Sequence, residues 1–421
     1  DLIAAAAAQP QDPQTGLPRL PSHVYLPSQT GPGFLRLPTD ALRPWMAALL
    51  DLVGDRTHDF NGDSLKLSRM EAVRTSAALG EGAVWEGAAA LRAMVAQLHG
   101  ASALPEVPLP PTVKATLRPY QQQGLNWLQF LSAHGLAGVL ADDMGLGKTL
   151  QTLALLLARS AGGPALVVAP TSVCGNWLAE AARFAPGLQV EMYGDTALAA
   201  EPEDDGDAAP ADDGAPADSA RQAARRKQVQ ALGPGQVLVC SYGLLQLDGD
   251  ILTGRPWHTA VLDEAQAIKN AGTRRARAAQ ALAADFKLAL TGTPVENRLG
   301  ELWSIMAFAN PGLLGSAEQF NTRFAGPIER DGDAQASRRL RRLVAPFLLR
   351  RTKAEVLADL PPRTEIVHEV VPGPKERALL EALRQQAEDS VNQALAGASG
   401  DGQAQMHILA ALTRLRRAAC D

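Results

Sequence analysis

Five short apolar runs, each ending in polar or small residues, constrain the fold of this chain most strongly. They read LAGVLAD, ALVVAPT, QVLVCSY, TAVLDEA and FKLALTGTP, and they alternate with helical segments. One such segment, TLQTLALLLARSAGG, carries Leu150, Leu153, Ala154 and Leu157 on one face. Buried parallel strands are near-continuously apolar because helices cover both faces of their sheet. We therefore predict an α/β domain with a doubly wound parallel sheet, whose ligand sites lie at the carboxyl ends of the strands.

These runs occupy the middle of the chain, which divides into three regions. Residues 1–110 are predicted to form a smaller α+β accessory region, with strands at FLRLP and SLKLSR and a helix in EGAVWEGAAALRAMVAQLHG. The proline-rich LPEVPLPPT then forms a stiff connector. Residues 111–330 form the α/β domain, and residues 331–421 a basic and helical extension. No motif assigns a function to the accessory region.

An acidic tract interrupts the α/β domain. Residues 201–218 hold eight acids and no bases. Low hydrophobicity and charge of one sign predict a disordered surface insert over residues 199–228. The net charge of the chain is −5, but without the tract basic residues outnumber acidic ones, 40 to 37. Overall charge therefore neither predicts nor excludes a nucleic-acid partner, and local clusters must decide.

Composition excludes several classes of protein. No apolar run approaches the roughly 20 residues that cross a bilayer, so we expect no membrane partner. Three widely separated cysteines, Cys174, Cys240 and Cys420, argue against a zinc site or a disulfide framework and fit a reducing compartment. The start of the chain lacks the features of a signal peptide. It does not begin with Met, which indicates a piece of a longer protein.

The stretch ADDMGLGKT, residues 141–149, follows the first apolar run and precedes a helical pattern. A phosphate-binding loop requires this context, because its backbone N–H groups converge at a helix N-terminus. Gly145 and Gly147 permit the tight turn, Lys148 supplies positive charge to terminal phosphates, and the Thr149 hydroxyl can ligate magnesium. Asp142 stands where the usual pattern has its first glycine, so a glycine turn with an incidental lysine stays an alternative.

A second element supplies the acidic partners of such a loop. The run TAVLDEAQAIKN ends a strand at Asp263 and Glu264. Hydrolysis of a nucleoside triphosphate needs one carboxylate to hold magnesium and another to orient the attacking water. Asp263 suits the first role and Glu264 the second. Neighbouring side chains on a strand face opposite sides, but a strand that turns into a loop can bring both to one site.

Clustered positive charge occurs at residues 338–353, RRLRRLVAPFLLRRTK, with seven basic residues in sixteen and no acids. Clusters of this kind bind phosphate backbones in a salt-dependent way. The alternative is structural, with the arginines paired to acids or to another lobe around a buried Phe347. Arg274, Arg275 and Arg277 form a weaker second cluster. No aromatic residues interleave with these bases, which favours duplex over single-strand binding.

Seven motifs in order resemble those of the Swi/Snf family, the DNA-translocating ATPases of helicase superfamily two. They are LRPYQQQGLNWL, ADDMGLGKT, VVAPTSVCGNW, SYGLL, DEAQAIKN, LTGTPVENRLGELWS and FLLRRTKAEVLADLPPR, and the match covers residues 117–421. In this family the first loop position is often acidic, which accounts for Asp142. The resemblance implies a RecA-like first motor lobe with ATP and Mg²⁺ as cofactors. DEAQ departs from the DEAD and DEAH of neighbouring helicase families.

The resemblance also implies roles for individual residues. Gln121, beside Tyr120, is expected to contact adenine. The loop is expected to hold the phosphates through Asp143, Met144, Gly145, Leu146, Gly147, Lys148 and Thr149. Asp263 and Thr149 are expected on the metal, with Glu264 as catalytic carboxylate. The DNA-contacting residues expected from the resemblance are Thr171, Ser172, Ser241, Tyr242, Thr291 and Gly292. The basic cluster at residues 338–353 adds Arg350 and Arg351.

The function expected from these features is ATP-driven translocation on double-stranded DNA with remodelling of an unidentified DNA-bound protein cargo. Two alternatives are a strand-separating or RNA-dependent helicase and a non-catalytic DNA- or protein-binding module. The second motor lobe of the family, which supplies arginine fingers, is not in this chain. Because such fingers contribute roughly 10³–10⁵ in rate, the chain alone is expected to hydrolyse ATP scarcely. The expected location is the cytoplasm with the nucleoid in a bacterium, or the nucleus in a eukaryote.

Overall fold

The computed structural model of the 421-residue chain describes residues 22–27, 34–38, 71, 89–98, 103–194, 216–292, 298–356 and 373–397, together with residues 410, 413 and 416. It divides the chain into two compact units, Asp1–Ala358 and Asp359–Asp421. The predicted division at residues 110 and 330 stays a prediction.

A seven-stranded sheet, with every neighbouring pair of strands parallel, forms the centre of the first unit. Its strands are β3 (Gly138–Leu140), β4 (Ala165–Ala169), β5 (Gln189–Met192), β6 (Gln236–Ser241), β7 (Trp257–Leu262), β8 (Ala284–Leu290) and β9 (Leu348–Leu349). Their order across the sheet is β5-β6-β4-β7-β8-β3-β9. Each of the five predicted apolar runs supplies one of these strands.

Helices connect the strands and flank the sheet. In the first unit they are α1 (Ala89–Leu98), α2 (Pro119–Ala133), α3 (Lys148–Arg159), α4 (Thr171–Phe184), α5 (Pro216–Ala231), α6 (Tyr242–Leu247), α7 (Gly249–Thr253), α8 (Arg274–Ala281), α9 (Leu299–Ala309), α10 (Ala317–Phe320), α11 (Gly326–Asp331), α12 (Ala334–Val344) and α13 (Lys353–Val356). The second unit contains α14 (Pro374–Gly397). The predicted doubly wound α/β class is confirmed. None of the described helices combines the length and apolar character needed to cross a membrane.

The inner strands are buried along most of their length because helices shield them from water. Every residue of β3 and β4 is buried, whereas the edge strand β5 alternates between half-buried and exposed positions. Continuous burial explains why the inner strands have no alternating pattern. Helix α3 buries Leu153, Ala154 and Leu157 among its apolar residues, as predicted. This core supports the loops at the carboxyl ends of the strands.

Strand register brings three loops to one edge of the sheet. Leu140, the last residue of β3, pairs with Leu290, the last residue of β8. Leu262, the last residue of β7, pairs with Ala289 of β8. Because all three strands are parallel, they end within one residue of each other. The loops that follow Leu140, Leu262 and Leu290 therefore start side by side, and these loops carry the predicted site residues.

The region before residue 103 is described in part. A small antiparallel sheet pairs β1 (His23–Pro27) with β2 (Phe34–Pro38), so the strand predicted at FLRLP is confirmed. Helix α1 lies within the predicted helical stretch. The strand predicted at SLKLSR lies outside the described residues. The connector at residues 104–112 has no helix or strand.

The prediction of a disordered acidic insert is wrong at its C-terminal end. Residues from Pro216 onward form α5, which continues to Ala231 and includes part of the predicted 199–228 insert. The sequence PADSARQAARRKQVQA is rich in Ala, Arg and Gln, which have high helix propensity, so composition favours a helix here. Arg225 then anchors the helix through an ion pair with the buried Asp248. Residues 195–215 lie outside the described residues.

Candidate active site

The loop between β3 and α3 has the geometry of a phosphate-binding loop. Gly145 and Gly147 have φ angles of 82° and 78°, in the left-handed region that glycine adopts without strain. Gly147 precedes the first turn of α3, so free backbone N–H groups of that turn point toward the loop. A Cβ at Gly147 would lie 2.5 Å from Gln121 Nε2, so the position has no space for a side chain.

Lys148 is held over this loop by the loop's own backbone. Its Nζ donates to the carbonyl oxygen of Asp142 at 2.7 Å and lies 3.4 Å from that of Asp143. Burial lowers the pKa of the Lys148 ammonium, while Glu264, Asp142, Asp263 and Asp143 partly offset that shift. Carboxylates from two separate segments therefore act on one ammonium group. The structure brings together the lysine and the acidic pair that the sequence placed 115 residues apart.

Asp263 is buried at the end of β7, with 8% of its surface exposed. One carboxylate oxygen accepts a hydrogen bond from the indole N–H of Trp177 at 2.8 Å, and the other accepts from the backbone N–H of Glu264 at 2.9 Å. Burial raises the pKa of Asp263, and the Trp177 hydrogen bond opposes that effect. Trp177, itself fully buried on α4, orients this carboxylate. No sequence pattern assigns Trp177 a role, because its contact with Asp263 depends on tertiary packing.

Glu264 turns the chain at the strand end. Among the described non-glycine residues, it alone has a positive φ, with φ 48° and ψ 56°. This left-handed conformation breaks the strand alternation. The charges of both carboxylates then oppose the lowering of the Lys148 pKa by burial. Strained backbone of this kind concentrates at functional sites.

A hydrogen-bond chain links Glu264 to the turn after β8. The Gln266 amide donates to Glu264 Oε2 at 2.7 Å, and the Thr291 hydroxyl donates to Gln266 Oε1 at 3.0 Å. Thr291 is fully buried, and its backbone N–H bonds to Leu140 at the end of β3. Gln266 is the last residue of the DEAQ motif. In the sequence it serves only to distinguish DEAQ from the DEAD and DEAH motifs of other helicase families. In the structure its side chain lies between Glu264 and Thr291.

Tyr120 and Gln121 lie at the start of α2, against the phosphate loop. Both side chains donate to the carbonyl oxygen of Leu146, each at 3.1 Å. Gln121 Oε1 accepts from the backbone N–H of Arg118 at 2.9 Å. Their expected contact with adenine stays a prediction. In this structure the two side chains support the loop.

The expected DNA-contacting residues separate into two groups. Ser172 and Arg350 are exposed, and Thr171 and Gly292 are half-buried, so a DNA contact at these four positions stays a prediction. Ser241, Tyr242 and Thr291 are buried and Arg351 is half-buried, and the DNA contact expected of these four also stays a prediction.

Each of these four side chains is engaged inside the protein. Ser241 and Tyr242 are 1% exposed. Ser241 accepts from the backbone N–H of Leu244 and caps α6, and Tyr242 donates to the carbonyl oxygen of Asp263 at 2.8 Å. Arg351 forms an ion pair with the buried Asp142. Burial and these hydrogen bonds limit the surface that the four side chains expose.

The strain at Glu264 can be measured by comparing two substitutions. Glu264→Gly and Glu264→Ala both remove the carboxylate and its bond to Gln266, but only glycine adopts the left-handed conformation freely. We expect the glycine variant to have the larger free energy of unfolding, by about 0.5–1 kcal/mol. Urea denaturation of both variants measures the difference. An alanine variant at least as stable as the glycine variant would contradict the left-handed turn.

Comparison with known proteins places these features in a family. A family model described as the SNF2-related domain matches residues 120–421. The putative ATP-dependent helicase/translocase YwqA of Bacillus subtilis is 43% identical over 297 residues, which cover 69% of this chain and 29% of that protein. The TATA-binding protein-associated factor MOT1 of Saccharomyces cerevisiae is 35% identical over 298 residues, 65% of this chain and 15% of that protein.

A solved structure gives the same assignment. The SWI2/SNF2 ATPase core domain of Sulfolobus solfataricus aligns at 33% identity with a TM-score of 0.50, and the alignment covers 76% of this chain and 59% of that one. The sheet and its flanking helices are thus of the RecA-like type. The chain spans less than a third of the length of the two curated relatives. With its phosphate loop, acidic pair and parallel sheet, the chain belongs to the SNF2-related domain family.

Proposed function

We propose that this chain supplies the first motor lobe of an ATP-dependent translocase that moves on double-stranded DNA and remodels protein–DNA complexes. One observation carries the proposal: Lys148 of the phosphate loop shares a partly buried site with Asp263 and Glu264. Nucleotide hydrolysis requires this combination of groups. The names of the relatives, which include a helicase/translocase and a TATA-binding protein-associated factor, support action on DNA.

The donor set fits a magnesium nucleotide. Mg²⁺ prefers hard oxygen ligands and usually keeps one or two from the protein. The Thr149 hydroxyl and the Asp263 carboxylate are ligands of that type, at the end of the loop and at the end of β7. When bound, the metal would neutralise phosphate charge. Lys148, held on a loop carbonyl in this structure, would turn its ammonium to the terminal phosphates, and the backbone N–H groups of the loop would hold the others.

Within this proposal, Glu264 positions the attacking water. Its Oε2 accepts from Gln266, which fixes the orientation of the carboxylate. The same glutamine accepts from Thr291 at the end of β8, so a shift of the turn after β8 would move Glu264. These two hydrogen bonds would allow contacts at that turn to change the orientation of the Glu264 carboxylate.

The proposed duplex contact is the outer face of α12. The helix buries Ala336, Leu340, Leu343 and Val344, which leaves its four arginines, Arg338, Arg339, Arg341 and Arg342, exposed on one side. A phosphate backbone fits this arrangement because the contacts need charge and no base-specific geometry. The structural alternative applies to Arg351, which pairs with Asp142.

The remaining partners are proposed from the family. A second motor lobe in the full-length protein would close on the first when ATP binds and would provide arginine fingers. The cargo would be a protein bound to DNA, which the moving motor displaces or shifts. Such a motor would act wherever the cell keeps its DNA.

The proposal is tested by steady-state hydrolysis in the full-length protein. We expect duplex DNA to stimulate ATP turnover, and Lys148→Ala to abolish the stimulated turnover because the phosphates lose their main cation. Lys114→Ala, an exposed lysine outside the site, is the matched control and should be unchanged. The isolated 421-residue chain should turn over scarcely. Duplex-stimulated ATP turnover in Lys148→Ala would contradict the proposed nucleotide site. Separation of the strands of a forked duplex would instead favour a helicase.

The role of α12 is tested by salt-dependent binding. Arg338→Gln with Arg342→Gln removes two charges from the exposed face, so the slope of log affinity against log salt should fall by about 1–2. The control pair, Arg226→Gln with Lys227→Gln, removes the same charge from the exposed side of α5. Fluorescence anisotropy of a labelled duplex measures both. Equal slopes for the two pairs would show that α12 has no specific contact with DNA.

A further inference from the structure

Residues 348–353, which we call the C-terminal strap, lie along the first turn of the phosphate loop. Strand β9 begins the strap and pairs in parallel with β3. Four backbone N–H donors then join the two segments. Ala141 donates to the Leu349 carbonyl oxygen at 2.7 Å, and Asp143 donates to that of Arg351 at 3.0 Å. In the other direction, Arg351 donates to the Asp142 carboxylate at 3.1 Å and Lys353 to the Asp143 carboxylate at 2.9 Å. A segment more than 200 residues away in sequence thus forms one side of the loop.

Arg351 completes this contact with its side chain. Its Nε donates to Asp142 Oδ1 at 2.9 Å, and its Nη2 pairs with Asp142 Oδ2. Nη2 also donates to Gln151 Oε1 at 3.0 Å, and Nη1 donates to the Tyr120 carbonyl oxygen. The Asp142 side chain is fully buried and that of Arg351 is 11% exposed. A buried, bidentate pair of this kind fixes the relative position of both groups.

The pair explains why an acid replaces the first glycine of the phosphate-loop pattern. Asp142 is not among the residues with positive φ, so its position makes no demand for glycine. Its side chain is instead the anchor for Arg351, while its carbonyl oxygen accepts from Lys148 Nζ. One residue therefore connects the guanidinium to the ammonium that is proposed to meet the phosphates.

Two neighbouring helices, α2 and α3, pack closely against this guanidinium. A Cβ at Gly124 of α2 would lie 1.9 Å from Gln151 Oε1 and 3.0 Å from Arg351 Nη2, so a side chain here would have to displace the end of Gln151 from its present position. Gln151 of α3 is fully buried and bonds on its other side to the Gly147 carbonyl oxygen at 3.3 Å. The guanidinium thus contacts one end of the loop directly at Asp142 and the other end, Gly147, through Gln151.

We propose that Arg351 is a positioning residue for nucleotide binding, which acts through Asp142 and Gln151 to hold the phosphate loop and Lys148 in their binding geometry. The inference rests on the proposed function, because it assumes that the loop binds a nucleotide. It makes the C-terminal strap part of the nucleotide site. Displacement of the strap would loosen the loop and weaken nucleotide binding without any change in a residue that touches the nucleotide.

The test is nucleotide affinity in the full-length protein, measured by titration with a fluorescent ATP analogue and Mg²⁺. We expect Arg351→Met to raise the dissociation constant about 10–100-fold, because small displacements of binding groups have effects of that size. Arg351→Lys keeps the positive charge but loses the bidentate guanidinium. Its dissociation constant should lie between those of Arg351→Met and the wild type. Thermal unfolding of each variant is measured in parallel.

Arg225→Met is the matched control. Arg225 pairs with the 2% exposed Asp248 and lies over the Tyr193 ring, as Arg351 pairs with Asp142 and lies over the Tyr120 ring. It lies on α5, and the partners described for its side chain, Asp248 and Tyr193, lie outside the loop. We expect it to lower the unfolding temperature while the dissociation constant stays at the wild-type value. If Arg351→Met does not fold, Asp142→Asn with Arg351→Met removes both buried charges, and its affinity should still be reduced.

Three results would overturn the inference. Wild-type affinity in the Arg351 variants, alongside normal binding and turnover by the wild type, would remove the positioning role and leave the proposed function intact. An equal loss of affinity in Arg225→Met would show that the loss in the Arg351 variants comes from general destabilisation of the fold. No nucleotide binding by the wild-type protein would overturn the proposed function and this inference together.

Discussion

The parallel pairing of β7, β8 and β3 is the constraint on which the site depends. These strands end within one residue of each other, so the loops that follow them begin at one edge of the sheet. The phosphate loop, the acidic pair and the turn at Thr291 come from distant parts of the sequence, and this register places them together. A one-residue shift in either pairing would move a whole loop along the strand axis by roughly 3.3 Å, more than the length of a hydrogen bond.

Buried charge at that edge is balanced by a small number of specific contacts. Desolvation favours the neutral forms of both Lys148 and Asp263, and each is opposed by the charge of the other. Asp142 and Arg351 form a second pair beside them, with few exposed atoms. Removal of one partner from a buried pair typically costs about 3–5 kcal/mol because the other charge is left uncompensated. The site is therefore organised before any ligand binds, which suits electrostatic stabilisation of phosphate groups.

Much of this arrangement could be predicted from the sequence, and the misses have physical causes. Continuous apolar runs identify β3, β4, β6, β7 and β8 because burial on both faces leaves a clear pattern. Strand β9 is two residues long and is defined only by its pairing with β3, so no local pattern indicates it. The pairing of Arg351 with Asp142 is equally hidden, because a run of bases in a sequence does not show which of them has an acidic partner. The buried positions of Ser241 and Tyr242 likewise depend on tertiary packing, and a motif does not report burial.

The most direct test of the central claim is a crystal structure of the protein with a non-hydrolysable ATP analogue and Mg²⁺. We expect the terminal phosphates to replace the Asp142 carbonyl oxygen as the partner of Lys148 Nζ, and Thr149 and Asp263 to be the residues that hold the metal. A nucleotide bound away from this loop, or a Lys148 that remains on the Asp142 carbonyl beside a bound nucleotide, would contradict the central claim.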